Sequence, residues 1–470
     1  MKLTYGVKDK PKFGQTIIFA IQQLLAIMAA TLVVPLIIGN NMSPAAALFG
    51  AGVGTLVYLC FTKFKSPVFL GSSFAFLGSM SAAFAGAIPM ALGYIGLIVG
   101  AVLAGLVYVI IAILVKLVGV NWLNKLMPAV VIGPTVAIIG LSLAGNAVGD
   151  LVKGDVSKAV DVFSVNTETM EIVKDVDYVS VASPLVALVC GLITLAVTVL
   201  CSTYGKKMIK LIPFIMGILA GTAAATIFTV IGDLADMPEL MLVDFSFFTN
   251  LWADGVNLET FVTLPDFTFV TALDGLELLT FDYILTIAVA YIPVAFVVFA
   301  EHVADHKNIS SIIEQDLLED PGLHRTLLGD GVGSMAGAFF GGCPNTTYGE
   351  SVACVAISGN ASVITTLFAA IGAILIAFFA PFVAFVNFIP ACVMGGVCVA
   401  LYGFIAVSGL KMIQKVNLEK NRNLFVVSVI LICGIGGLSV SFGEVTITSI
   451  ACALILGILT NLLLSKEKDQ

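Results

Sequence analysis

The sequence predicts an all-α polytopic membrane protein of fourteen transmembrane spans, arranged as two inverted sets of seven, and three observations carry that prediction. The first is composition: of 470 residues, 59% are hydrophobic and 11% charged, with a mean hydropathy of +1.09. So little polar surface cannot cover a soluble core, and lipid must be the solvent. The second is length. The apolar stretches run to roughly 17–25 residues, which suits helices crossing about 30 Å of hydrocarbon, and the period-two alternation of a membrane barrel is missing. The third is the sidedness of positive charge. With the first residues inside, Lys63, Lys65, Lys116, Lys125, Lys206, Lys207, Lys210, Lys307, Arg325, Lys411, Lys415, Lys420, Arg422, Lys466 and Lys468 all fall on cytoplasmic segments. Only Lys153, Lys158 and Lys174 fall outside, in an acidic loop of the longer kind that the positive-inside rule constrains weakly.

Taken in order, spans are expected near 15–38, 44–62, 67–80, 90–115, 122–147, 180–201, 208–232, 280–304, 324–342, 344–359, 362–381, 387–409, 422–438 and 443–465. The first follows Lys2, Lys8, Lys10 and Lys12 in the manner of a signal peptide, but its apolar run is too long for one and reads as an uncleaved span. Span three, opening on Pro67-Val68-Phe69-Leu70-Gly71-Ser72-Ser73-Phe74, is short and interrupted, and so is span ten across Gly341 to Glu350. Each reads as extended backbone running into a half-helix at membrane depth, which is tolerated only where protein or a polar cavity satisfies the backbone. Paired interruptions of this kind mark transporter binding sites. Spans five and twelve share an echo: Pro128-Ala129-Val130-Val131-Ile132-Gly133 returns as Pro390-Ala391-Cys392-Val393-Met394-Gly395. With an odd number of spans per half the second half is inverted, and these two small-residue pieces are expected to be sliding surfaces, since small residues let helices approach closely. Between spans seven and eight lies a loop rich in Asp, Glu and Phe, and no Lys or Arg occurs from Leu211 to His306.

Acidic residues carry the functional reading. From Gly331 to Leu410 the only charged side chain is Glu350, and a carboxylate inside a bilayer costs roughly 2.5–3.5 kcal/mol even on lenient insertion scales. Span eight ends in Glu301-His302-Val303-Ala304-Asp305-His306, where the i, i+4 spacing puts Glu301 and Asp305 on one helix face. Two like charges in a low-dielectric site disfavour one another, so one of them holds a proton near neutral pH. Glu301, Asp305 and Glu350 are therefore the expected proton-coupling groups. His302 and His324 read as interfacial, Asp305 and His306 have the rival reading of a polar helix end beside Lys307, and Glu314 to Asp320 reads as a solvated acidic run. Two carboxylates facing extended backbone suit a small planar molecule with alternating N–H and C=O groups. The nine cysteines show no CxxC or Cys/His pairing, and no metal set or activated nucleophile stands out. No enzyme activity, cofactor, metal or nucleic acid is expected; residues alone reach a small polar solute and protons.

The strings Leu70-Gly71-Ser72-Ser73-Phe74-Ala75-Phe76, Ala300-Glu301-His302-Val303, Asp320-Pro321-Gly322-Leu323-His324-Arg325, Pro344-Asn345-Thr346-Thr347-Tyr348-Gly349-Glu350, Met394-Gly395-Gly396-Val397 and Leu401-Tyr402-Gly403 resemble the nucleobase-ascorbate transporter family, with bacterial uracil permeases nearest. The resemblance implies a core domain at 1–120 and 280–383, a gate domain at 121–235 and 384–470, an extracytoplasmic loop at 236–279 and a homodimer in the inner (cytoplasmic) membrane, both termini cytoplasmic. It implies that Glu301 and Glu350 accept from a pyrimidine ring and that the backbone N–H groups of Phe74 and Gly349 donate to its carbonyls. Tyr402 faces the site from the gate, and Ala30 and Tyr348 complete the expected substrate-binding set. The implied function is proton-coupled uracil import by alternating access. A xanthine or other purine permease is the alternative within the family, because the chain departs from the uracil-permease pattern. Asp305 replaces a His, Gln22-Gln23 replaces Gln-His, Ser351-Val352-Ala353 replaces Asn-x-Gly, and Ser358-Gly359 replaces Thr-Arg. An anion transporter of similar architecture is less favoured, since Glu350 between two helix N-termini would repel its substrate.

Overall fold

The computed structural model describes residues 3–86, 88–119, 122, 128–165, 172–206, 208–253, 255–442 and 445–464; Lys2, Lys125, Lys207, Lys466 and Lys468, used above for sidedness, lie outside them. The chain is mostly helical, and among the described residues eight helices are long and apolar enough to cross a membrane by length and composition. These are Phe13–Ile38, Pro44–Phe61, Met90–Val118, Ala129–Asp150, Pro184–Tyr204, Pro213–Ala235, Phe281–Ile313 and Ala391–Ile413. Shorter apolar helices occupy Phe74–Ala83, Gly349–Ser358, Val363–Ile376, Asn421–Ile435 and Ser449–Leu463.

Local chemistry sets several boundaries. Pro184 and Pro213 sit in the first turn of their helices, where the missing N–H has no helical partner to lose. Ser43 and Thr280 cap the helices that follow, their hydroxyls accepting from Ala46 N and Tyr283 N at 3.2 Å each. The eighth span runs on past 304 to Ile313, because the polar run that reads as its end is stabilised by buried partners. Strict all-α character is corrected. Three antiparallel two-stranded pairs are present: Leu70–Ser72 with Asn345–Thr347, Ser157–Val165 with Ile172–Ser180, and Val440–Phe442 with Val445–Ile447. The second pair folds the loop that carries Lys158 and Lys174, whose Val-rich stretches have strand propensity.

Contacts divide the chain into two compact units. One comprises Met1–Leu143, Val262–Val383 and Leu401–Gln470; the other comprises Ala144–Phe261 and Ala384–Ala400. In the larger, helix Pro44–Phe61 packs on helix Leu323–Gly341 through glycines: a Cβ at Gly50 would stand 2.5 Å from the Gly337 carbonyl oxygen. In the smaller, helices Pro184–Tyr204 and Pro213–Ala235 meet where a Cβ at Gly217 would collide with Thr198. The larger unit also contains an extended strap, Thr4 to Asp9. Gly359 O accepts from Thr4 N at 2.7 Å, Tyr5 O accepts from Ala361 N at 2.9 Å and Val7 O accepts from Val363 N at 3.2 Å. Val7 is buried among Val352 and Val355 of one short helix and Ile309 and Ile313 of the eighth span.

Candidate functional site

Two pieces of extended backbone cross in the middle of the larger unit. Their register is Leu70 with Thr347, Gly71 with Thr346 and Ser72 with Asn345, and all six residues are buried. Unpaired backbone at that depth would cost several kcal/mol per group, so the strands complete one another. Further bonds close the ends: Tyr348 N donates to Phe69 O at 3.3 Å, and Ser73 N to Pro344 O at 2.9 Å. Side chains pin the crossing to its neighbours. Leu70 N donates to Thr55 Oγ1 at 3.0 Å, Asn345 Nδ2 to Gly50 O at 3.0 Å and Tyr348 Oη to Ser72 O at 2.8 Å. Asn345 fits only because its neighbours are glycines, for a Cβ at Gly54 or Gly337 would lie 2.3 Å from its Nδ2.

Each strand then turns into a short helix. After Ser72 come the 3-10 turn Phe74–Phe76 and helix Leu77–Ala83; after Thr347 comes helix Gly349–Ser358. The first N–H groups of such helices have no intrahelical acceptor and carry the positive end of the helix dipole. Phe74 and Gly349 therefore each begin a helix whose leading donors lack an intrahelical acceptor; Phe74 is buried and Gly349 is exposed. Glu350 follows directly, half-buried, and its carboxylate accepts from its own backbone N–H.

Glu301 and Asp305 lie one turn apart on helix Phe281–Ile313, and both are half-buried. Asp305 Oδ2 accepts from Thr347 Oγ1 at 2.9 Å, and a Cβ at Gly349 would lie 4.0 Å from its Oδ1. Asp305 thus belongs beside the strand crossing, and the alternative of a solvated helix end is corrected. Tyr402 is 2% exposed, its ring edge-on to Phe74 at 5.9 Å between centroids. Tyr348 is buried and its hydroxyl accepts from Thr31 Oγ1 at 3.4 Å. Ala30, buried in helix Phe13–Ile38, precedes that threonine. A cavity of about 1240 Å³ opens next to Asp305, with Ala300, Lys116, Lys307, Lys411 and Lys415 also on its wall. Its lining does not include Glu301, Glu350, Phe74 or Tyr402.

Sequence reasoning missed a second layer. His302 and His306 are fully buried, which corrects the interfacial reading of His302 and the helix-end reading of His306. His302 Nδ1 stands 2.7 Å from Asp330 Oδ2 and its Nε2 stands 3.0 Å from Thr326 Oγ1. The Thr326 hydroxyl already donates to Leu323 O at 3.0 Å, so it accepts from Nε2–H, and one proton then lies between Nδ1 and Oδ2. His306 donates its Nδ1–H to the His302 carbonyl at 2.8 Å, leaving Nε2 against Tyr58 Oη at 2.6 Å. The available signal was Asp330, an acid in a glycine-rich helix immediately before the tract from Gly331 to Leu410 in which Glu350 is the only charge. Two of the departures from the family pattern also meet: Gln23 Nε2 donates to Ser351 Oγ at 3.1 Å, and the same oxygen accepts from Phe69 N at 3.0 Å. Ser351 therefore ties the first helix, one strand and the Glu350 helix together.

Comparison with known proteins adds ancestry to this geometry. Residues 14–442 match the Permease family, Xan_ur_permease. The chain is 35% identical to the uracil permease of Bacillus subtilis (strain 168), over 100% of this chain and 97% of that one. It is 34% identical to the uracil permease of Escherichia coli (strain K12), over 96% and 92% of the respective chains. Among solved structures it is similar to the transmembrane domain of the cyanobacterial bicarbonate transporter BicA, with a TM-score of 0.62 at 13% identity, covering 97% of this chain and 99% of that one. It is also similar to the murine anion transporter Slc26a9 in its inward-facing state, with a TM-score of 0.61 at 12% identity, covering 97% of this chain and 69% of that one. At such identities these two likenesses show a shared fold only.

Proposed function

Because the chain belongs to the nucleobase-ascorbate transporter family, matched as Xan_ur_permease, we propose that it imports uracil across the cytoplasmic membrane in symport with protons, by alternating access. At the coarser level it is a multi-pass membrane transporter of nucleobases and not an enzyme. One observation carries the finer reading: a lone carboxylate, Glu350, at the start of a half-helix that leads directly out of the paired strands. In this reading uracil lies between the two helix starts. Glu301 and Glu350 accept from ring N–H groups, and the Phe74 and Gly349 amides donate to ring carbonyls. Ala30, Tyr348 and Tyr402 shape the walls, and Glu301, Asp305 and Glu350 carry the coupled proton.

The likeness to bicarbonate and SLC26-type structures concerns the fold alone and leaves the substrate open; a helix start by itself suits an anion as well as a carbonyl. Here Glu350 stands there, and it favours a neutral N–H donor over an anion. Fourteen spans in a seven-plus-seven inverted repeat, split into core and gate at the boundaries given above, with cytoplasmic termini and a homodimeric assembly, complete the proposal. The test is uptake of radiolabelled uracil into proteoliposomes with and without an imposed pH gradient, with xanthine, thymine and cytosine as competitors. Gradient-driven accumulation blocked by unlabelled uracil is expected. Accumulation of xanthine in preference to uracil, or uracil uptake indifferent to the gradient, would overturn the substrate or the coupling respectively.

A further inference from the structure

Three buried polar atoms converge on one small chamber behind the strand crossing. The chamber has a volume of about 10 Å³, and Tyr108, Asp330, Ser334 and Asn345 contribute to its wall, together with Phe76 and Val298. Asp330 Oδ1, Asn345 Oδ1 and Tyr108 Oη are each buried without a hydrogen-bond partner among the described residues. Their residues are 1%, 2% and 4% exposed. The other polar atoms of two of these side chains are fully engaged: Asp330 Oδ2 with His302 at 2.7 Å and Asn345 Nδ2 with Gly50 O at 3.0 Å. Those bonds fix how the two side chains are turned, so the unpartnered oxygens belong to the chamber.

A buried polar group without a partner is costly, and three on one chamber is a pattern that one ligand resolves. The volume is close to a single water-sized sphere, roughly 10–15 Å³. The donor and acceptor count decides the occupant. Two carbonyl-type oxygens need donors and one phenol needs an acceptor; a water molecule offers two hydrogens and an oxygen lone pair. A cation would satisfy the two oxygens but leave the Tyr108 hydroxyl proton without an acceptor.

We infer that this chamber is a binding site for one ordered water, which donates to Asp330 Oδ1 and Asn345 Oδ1 and accepts from Tyr108 Oη. The water joins two systems that otherwise do not touch through hydrogen bonds. On one side is the His302–Asp330 pair with its shared proton. On the other is Asn345, which pairs in register with Ser72, two residues before the Phe74 amide offered to substrate. The hydrogen-bonded route from buried acid to strand crossing thus runs through this one water, and Tyr108 is a positioning residue for it.

The structural arm of the test is X-ray hydroxyl-radical footprinting of the detergent-purified protein in H2¹⁸O, which labels side chains touching ordered water whatever their exposure. Tyr108 is expected to carry label at a rate several times that of Tyr58, a fully buried tyrosine whose hydroxyl is already bonded to Ser66 and His306. Equal rates would overturn the site. Repeating the melt and the footprint in sodium and in choline salts separates the cation: stabilisation and loss of label specific to sodium would overturn water as the occupant. The functional arm rests on the uracil reading above. Tyr108→Phe keeps the ring against His302 while removing the one donor, and should weaken uracil binding about two- to tenfold with an altered pH profile of uptake. Unchanged binding and pH profile in a normally labelled wild type would remove the link to the site. A wild type that binds no uracil but labels Tyr108 would sink the function while leaving the water in place.

Discussion

Replacing Glu350 with Gln separates a binding role from a structural one, and the structure sets the expected magnitudes. The carboxylate is half-buried, and among the described residues no side chain donates to it; its contact is its own backbone N–H. Glutamine is nearly isosteric and retains an acceptor oxygen for that amide. No buried partner is orphaned, so the melting free energy should change by no more than about 0.5 kcal/mol. The bound state is different. A ring N–H donating to a charged acceptor contributes about 1.5–3 kcal/mol, and its loss weakens uracil binding roughly ten- to a hundredfold. The amide NH2 also confronts the ring N–H with a donor. Titration calorimetry on detergent-purified protein measures the affinity and a thermal melt measures the fold. Wild-type affinity in the mutant would refute the reasoning. A melt that collapses together with binding would assign Glu350 to the support of its helix.

Thr347→Val removes the hydroxyl that bonds Asp305 Oδ2 at 2.9 Å while keeping the strand's shape, and uptake should fall about tenfold with the protein still folded; unaltered uptake would detach Asp305 from the mechanism. His302→Phe leaves Asp330 buried without its partner and should cost about 3–5 kcal/mol, visible as a large drop in melting temperature; an unchanged melt would show the pair to be dispensable for the fold. At Gly395 a Cβ would lie 2.6 Å from Leu151 N, so Gly395→Leu should lose folded protein outright, and a normal melt would show that the backbone there can give way. Gly133→Ala meets Ile413 Cγ1 first, at 2.9 Å, and is the milder test of a gate: proteoliposome uptake should fall more than detergent binding, and equal losses would place Gly133 in ordinary packing.

What was legible from the sequence follows from what bilayer physics writes into composition and what it does not. Apolar length placed the long helices, and the Gly/Pro interruptions at Pro67–Phe74 and Gly341–Glu350 marked the two stretches that pair as strands. Glu350 stood out because nothing charged surrounds it in the chain. The histidines were misread because adjacency to Lys307 was taken as depth. A helix that continues to Ile313 carries polar residues inward on one face while its neighbours in sequence meet solvent, and His306 is buried while Lys307 is exposed. The His302–Asp330 pairing was not readable for a related reason: its members are 28 residues apart on two helices, and no local pattern states that they meet. The hairpin of Ser157–Val165 and Ile172–Ser180 was missed because membrane reasoning assigns polar loops no structure, whereas strand propensity acts in a loop as in any soluble protein. Periodicity and charge spacing report which face a residue occupies. Only the packing of helices at glycine contacts, such as Gly54 and Gly337 around Asn345, decides which faces meet, and those contacts depend on atoms that glycine lacks.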